Sequence, residues 1–226
     1  KMNNINNIIT ESYINSVIYE GISSQVFHAT YIKQMLDIFN TNEFHLTTSV
    51  GTPADNDHQK DGYDYYLSMA RSPRSHYFKN VRSFFELDGR KLADNYKGGA
   101  VDYWQYDHKM GGGEAGELED RLYSKNRVIP NASKYIKAVY ILVETNTLSS
   151  YDKFGMSDDE IASFIPSKKM NDDDRRQYRK LLIYGKKMNI PVYFFTDLEA
   201  MRNRNLNKRI NLKMDELATD VDSKGD

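Results

Sequence analysis

Gly111-Gly112-Gly113-Glu114-Ala115-Gly116-Glu117-Leu118-Glu119-Asp120-Arg121-Leu122-Tyr123 is the stretch on which the reading of this chain turns. Four of its first six residues are glycine. A run with so few Cβ atoms gives up much conformational entropy to hold regular structure, so residues 111–116 are expected to form a mobile loop. The loop delivers the chain into Glu117-Leu118-Glu119. If that segment is extended, alternate residues share a face, and the two carboxylates stand side by side. Paired carboxylates behind a glycine loop suit acid–base work or the stabilisation of a developing cation. The same residues also fit a solvated acidic stretch in which Arg121 simply pairs with Glu119, a contact worth little on a surface.

Downstream of this stretch, residues 136–144 carry Ile136, Val139, Ile141 and Val143 and predict the clearest strand of the chain. Ser157-Asp158-Asp159-Glu160 has the form of a capping box. A second helix is expected from near Asn171, with Asp172, Asp173 and Asp174 in its first turn and Lys186 and Lys187 toward its end, an order that suits the helix dipole. A last strand over 191–195, a last helix over 197–203 and a flexible tail over 215–226 complete this half.

Upstream, apolar residues at helical spacing predict helices over about 5–20 and over 31–39. Strands are expected over 25–30, 44–48, 63–69 and 81–87, with a polar loop over 51–62. The Asp88-Gly89 pair reads as a hairpin turn, and residues 90–96 as a short helix. Strands and helices mix without regular βαβ alternation. The expected class is therefore α+β, with a mixed or mainly antiparallel sheet. One domain is expected over 1–214, with a core of about 22–145 and a C-terminal helical and strand extension of about 150–214.

Composition excludes several function classes. The 226 residues are 39% hydrophobic and 12% aromatic, with 17 tyrosines, enough for a packed core. Lys and Arg number 31 against 32 Asp and Glu, so no overall basicity announces nucleic acid. The absence of cysteine removes disulfides, thiolate nucleophiles and Cys-based zinc sites. It also fits a reducing cytoplasm, as does an opening Lys1-Met2-Asn3-Asn4 without an apolar signal core. No apolar run approaches the roughly 20 residues of a membrane helix. The five histidines show no metal-ligand spacing, and no phosphate-binding loop, dinucleotide fingerprint or nucleophile elbow is present.

Two further segments bear on chemistry. Phe27-His28-Ala29-Thr30 places a histidine and a threonine two apart at a strand end, where both can reach a ribose diol; a capped turn histidine explains the pair as well. Ser68-Met69-Ala70-Arg71-Ser72-Pro73-Arg74-Ser75-His76-Tyr77 ends a strand in a polar turn. Arginine offers a planar fork for pyrophosphate or carboxylate, and a nearby aromatic can stack a flat ring. A strand and turn with core tyrosines is the plainer account.

Taken in order, these segments resemble the ADP-ribosyltransferase superfamily, in which an early His or Arg, a middle strand with Ser or Tyr, and a late Glu behind a loop follow one another. The resemblance covers about 22–145 and extends to nucleic-acid-modifying toxins and phage-defence effectors. Leu67-Ser68-Met69 stands where a Ser-Thr-Ser triplet would mark arginine-modifying toxins. The resemblance implies NAD as co-substrate and no metal. His28, Thr30, Ser68, Arg71, Ser72 and Tyr77 would bind the cofactor, and Glu119, Glu117 and Arg71 would carry the catalysis. Either Glu117 or Glu119 would be the essential carboxylate. The implied acceptor is a macromolecule, RNA or DNA ahead of protein, and an antitoxin or inhibitor protein is a further implied partner. The basic run Arg202, Arg204, Lys208, Arg209 and Lys213 can track a phosphate backbone or simply be solvated. A nuclease or phosphotransferase, or a non-catalytic binding module on the same fold, are the competing expectations.

Overall fold

The computed structural model describes residues 21–49, 58–73, 81, 83–101, 119–142, 172–195, 208–209, 211–212 and 214. The helices expected over 5–20 and 197–203, the glycine loop, Glu117, Tyr77, the capping box at Ser157 and the tail lie outside these residues. So do Arg202, Arg204 and Lys213. The fold is α+β, with a mostly antiparallel sheet flanked by helices.

The chain divides into two compact units that interleave in sequence: residues 1–28, 43–77 and 87–135 form one, and residues 29–42, 78–86 and 136–226 the other.

The first unit is built around β4 (Tyr65–Ala70). One edge of β4 pairs along its whole length with β7 (Glu119–Ser124), in a register that sets Ser68 opposite Arg121 and Ala70 opposite Glu119. β1 (Gln25–Ala29) also pairs with β4, with Phe27 opposite Ala70, and β3 (Thr47–Thr48) pairs with its other end at Tyr65 and Tyr66. β6 (Lys97–Ala100) closes the far edge of β7. All these pairings are antiparallel. β2 (Glu43–His45) and β8 (Val128–Pro130) form a separate antiparallel ribbon. The single strand expected over 44–48 is thus two, because Leu46 turns inward (4% exposed) and its N–H donates to the Arg127 carbonyl. Val26, Leu67, Met69 and Leu122, together with Phe44 and Ile129, are among the buried apolar side chains of this unit.

Asp88-Gly89 is not a hairpin turn. Asp88 caps a short helix, α1 (Gly89–Ala93), by accepting from the Lys91 N–H, and the Gly89 N–H donates to the Ser24 carbonyl. An Asp followed by Gly reads alike as a tight turn or as a cap, and the backbone partner at Ser24 decides between them.

In the second unit β9 (Ile136–Leu142) lies between β5 (Ser83–Asp88) and β10 (Val192–Phe195), the last pairing being parallel. Two helices pack here: α2 (Ile32–Thr41) and α3 (Asp172–Met188). Met35, Ile38 and Phe39 of α2 are buried, and the Phe39 ring meets Phe85 edge-on at 5.6 Å and stacks on Tyr184 at 5.9 Å. The helix stops where Asn42 takes a left-handed φ of 56°, a conformation Asn tolerates better than most residues.

β6 reads Lys-Gly-Gly-Ala and carries no strand signal of its own. Its place depends on Gly98. A Cβ there would collide with the Arg121 carbonyl oxygen and would come within 2.8 Å of the Ile22 side chain. Gly98→Ala is therefore expected to cost about 1–3 kcal/mol, the usual penalty of overpacking. A urea melt with an unchanged midpoint would contradict this close approach.

Candidate functional site

β7 presents three ionisable residues in succession, Glu119, Asp120 and Arg121, and they are 1%, 0% and 7% exposed. Side chains alternate across a strand, so Glu119 and Arg121 share one face with Ser68, while Asp120 lies on the other face with Leu67, Met69 and Leu122.

On the first face, the Ser68 hydroxyl donates to Glu119 Oε1 at 2.7 Å. Arg121 approaches the same carboxylate side-on, Nε to Oε1 at 2.8 Å and Nη2 to Oε2 at 3.3 Å. The guanidinium carbon also lies 4.5 Å from the centre of the Tyr66 ring, a cation–π contact that takes a further share of the charge. The carboxylate is thus held from two sides, with the shorter contacts on Oε1. Oε2 accepts only the longer bond among the described residues.

On the opposite face, Asp120 Oδ1 accepts from Arg71 Nη1 at 3.0 Å and Oδ2 from the Ser23 N–H at 2.7 Å. Arg71 Nη1 also donates to the Glu119 carbonyl oxygen at 3.3 Å. Arg71 therefore ties the end of β4 to the start of β7.

His28 follows Phe27, and Phe27 pairs with Ala70. Its side chain accordingly points to the Asp120 face, away from the Glu119 carboxylate. Its Nδ1 lies 2.9 Å from the Ser68 carbonyl oxygen, and its ring meets Phe44 edge-on at 6.1 Å. A carbonyl only accepts, so Nδ1 carries the proton. Burial disfavours the imidazolium and pushes the His28 pKa below its ordinary value, although the bond to Ser68 acts the other way. This histidine is a neutral, packed group.

The structure brings together Ser68 and Glu119, and joins Arg71 to the backbone of Glu119. It does not bring the His28 ring to that carboxylate. β1 ends at Ala29, and Thr30 belongs to the second unit, where its N–H donates to the Ser83 carbonyl and its own carbonyl accepts from the Ser83 hydroxyl at 2.5 Å. Ser72 and Pro73 follow β4 as a half-buried turn. Asp120 was not a sequence candidate. The available signal was a run of charged residues inside a strand bounded by Leu122 and Tyr123, which burial on both faces obliges to find partners. Among the described residues no group of three or more His, Asp and Glu is placed to hold a metal ion, and no helix is long and apolar enough to cross a membrane.

Two consequences can be measured. Asp120→Ala removes the carboxylate that Arg71 and the Ser23 N–H share, and loss of one partner of a buried pair costs about 3–5 kcal/mol; adding Arg71→Met is expected to recover part of that loss in a denaturation cycle. His28 is neutral in the fold at a pH where the unfolded chain already takes up a proton. Its contribution is full above the unfolded value of about 6.5 and is lost as pH falls toward the lower folded value, at up to about 1.4 kcal/mol per pH unit. His28→Gln should flatten stability between pH 7 and pH 5.5 (about the range where histidine titrates), and an equally steep loss in the variant would remove His28 as its source. No protein-family model matches the chain, and no curated protein matches it.

Proposed function

We propose that the chain is an NAD-dependent ADP-ribosyltransferase acting on a macromolecular acceptor, with nucleic acid ahead of protein and a toxin or phage-defence setting. One observation carries the reading: a serine on the central strand holds the carboxylate of the glutamate that follows the glycine loop, at 2.7 Å. The sequence resemblance calls for these two residue types in this order.

In this reading Glu119 Oε2 accepts from the 2-hydroxyl of the nicotinamide ribose, while Ser68 and Arg121 hold Oε1. The bond between ribose C1′ and the nicotinamide nitrogen breaks, and its electron pair leaves with nicotinamide. The fixed negative charge of Glu119 stabilises the oxocarbenium-like ribose as positive charge develops. A nucleophilic atom of the acceptor then bonds to C1′ and gives its proton to Glu117. Arg71 and Ser72 would meet the pyrophosphate, Tyr77 the nicotinamide ring, and His28 and Thr30 a ribose hydroxyl. His28 and Arg71 are the weakest of these, because both side chains are engaged on the opposite face.

A second reading has its own observation. Glu119 is 1% exposed and ion-paired, which is how a purely structural carboxylate in a binding module looks. Glu119→Gln separates the two. The amide keeps one oxygen to accept from Ser68 and Arg121 Nε but removes the counter-charge of the buried Arg121, so a urea melt of the variant accompanies the assay and activity is compared where both proteins are folded. Nicotinamide release from labelled NAD is expected to fall about 10²–10³-fold, the cost of losing one preorganised electrostatic group. Undiminished release would remove Glu119 from the chemistry. No release by the wild type, with no NAD-induced thermal shift, would leave the binding module.

A further inference from the structure

Cation–π contacts gather at one end of the first unit. Lys97 Nζ of β6 and Lys125 Nζ, just beyond β7, lie 4.8 and 4.9 Å from the centre of the same ring, that of Tyr63. His58 meets Tyr63 edge-on at 6.5 Å and stacks on Tyr123 at 3.9 Å with a 20° tilt. The register sets Lys97 opposite Tyr123 and Tyr123 opposite Tyr66. These residues share the face that carries Glu119 and Arg121.

Two ammonium groups over one ring repel each other unless an anion comes between or beside them. Asp61 supplies one carboxylate, 3.8 Å from Lys97, with both side chains more than half exposed. Such a pair is worth little and exchanges readily with solvent. Exposed Lys60 and Arg127 border the same end, against exposed Asp61 and Asp64. Among the described residues cations therefore exceed carboxylates here, although the whole chain is balanced.

Lys97 and Lys125 are the exposed cations here, both at the Tyr63 ring, while Arg121, 7% exposed and paired with Glu119, lies beneath the same face. Half-buried rings stand beside them at Tyr63, Tyr66 and His58, the last stacked on a buried Tyr123. Cations beside stacked rings match a polymer that alternates phosphates with flat bases. A lone anion would use the cations and leave the rings without a role, and a duplex hides the faces of its bases.

We propose that this surface binds single-stranded nucleic acid. Lys97 and Lys125 swing from the Tyr63 ring to backbone phosphates, and a base takes their place on the ring. The track leads along β7 toward Glu119, which makes it the acceptor side of the site; that last step rests on the transferase reading, while the binding surface does not.

Fluorescence anisotropy of a labelled oligothymidylate of about twelve nucleotides with the full chain, without NAD, tests the surface directly. Binding is expected to weaken as salt rises. The Lys97→Gln/Lys125→Gln pair should weaken it about tenfold or more and reduce the logarithmic salt slope by about 1.4, at roughly 0.7 per phosphate contact on a single strand. Tyr63→Leu should weaken it about fivefold or more, and Tyr63→Phe should not. The proposal is overturned if the wild type does not bind at low salt. It is equally overturned if the lysine pair binds as tightly as wild type, if duplex DNA binds better, or if polyglutamate of matching length competes equally well. Nicotinamide release keeps the two readings apart. Lysine-dependent binding without release would keep the surface and remove the transferase, and release without binding would do the reverse.

Discussion

Three consecutive charged residues in a strand buried on both sides set the terms for the first unit. Transfer of an ion out of water costs several kcal/mol even after relaxation, so a strand carrying Glu119, Asp120 and Arg121 is tolerated only where every charge meets a partner. Glu119 and Arg121 meet each other, with Ser68 and the Tyr66 ring completing the shell. Asp120 meets Arg71 and a backbone N–H. A slip of one residue between β4 and β7 would exchange the two faces. The carboxylate now beside Ser68 would then point toward Leu67 and Met69, and Leu122 would turn to the Ser68 face. The ionic groups thereby fix the register as firmly as the apolar ones do.

This arrangement gives Glu119 a split character. It is a structural ion in that its removal would leave Arg121 buried without its carboxylate. It is also a preorganised one, because Ser68 and Arg121 fix its orientation without consuming the second oxygen fully. The same fixed geometry that answers the cost of burial is what electrostatic stabilisation of a cation requires. His28 illustrates the opposite case. Its residue type suggested a ligand contact, yet its direction along β1 turns the ring to the Ser68 carbonyl, with Phe44 at its edge.

Much of the fold was legible because periodicity reports burial. The helix around Met35, Ile38 and Phe39 and the strand around Val139 and Ile141 announce themselves through apolar spacing. β6 does not, since Lys-Gly-Gly-Ala is a strand only by virtue of its neighbour and of the room that Gly98 leaves. β8 is three residues long and exists through its pairing with β2. At the site, the sequence offered both Glu119 with a ribose and Glu119 with Arg121, and spacing alone left the two open. The contact with Arg121 is made, at a depth of burial that spacing does not report. Asp120 escaped notice for the same reason, because a carboxylate between two other charged residues looks solvated until both faces are seen to be covered.

The pairing pattern of the first unit bears on how it is made. β2 and β3 are neighbours in the chain but pair with β8 and β4, while β7 and β8 likewise part company, β7 joining β4 and β6. Contacts between distant stretches must repay loop-closure entropy before they stabilise anything, and topologies dominated by them fold in milliseconds to seconds rather than microseconds. β7 adds a second condition. Its charges lose water when β4 and β6 close over them, yet they gain their partners only in the final register. Enclosure of β7 in a wrong register would leave those charges buried without partners, so the ions penalise misassembly as well as holding the finished sheet.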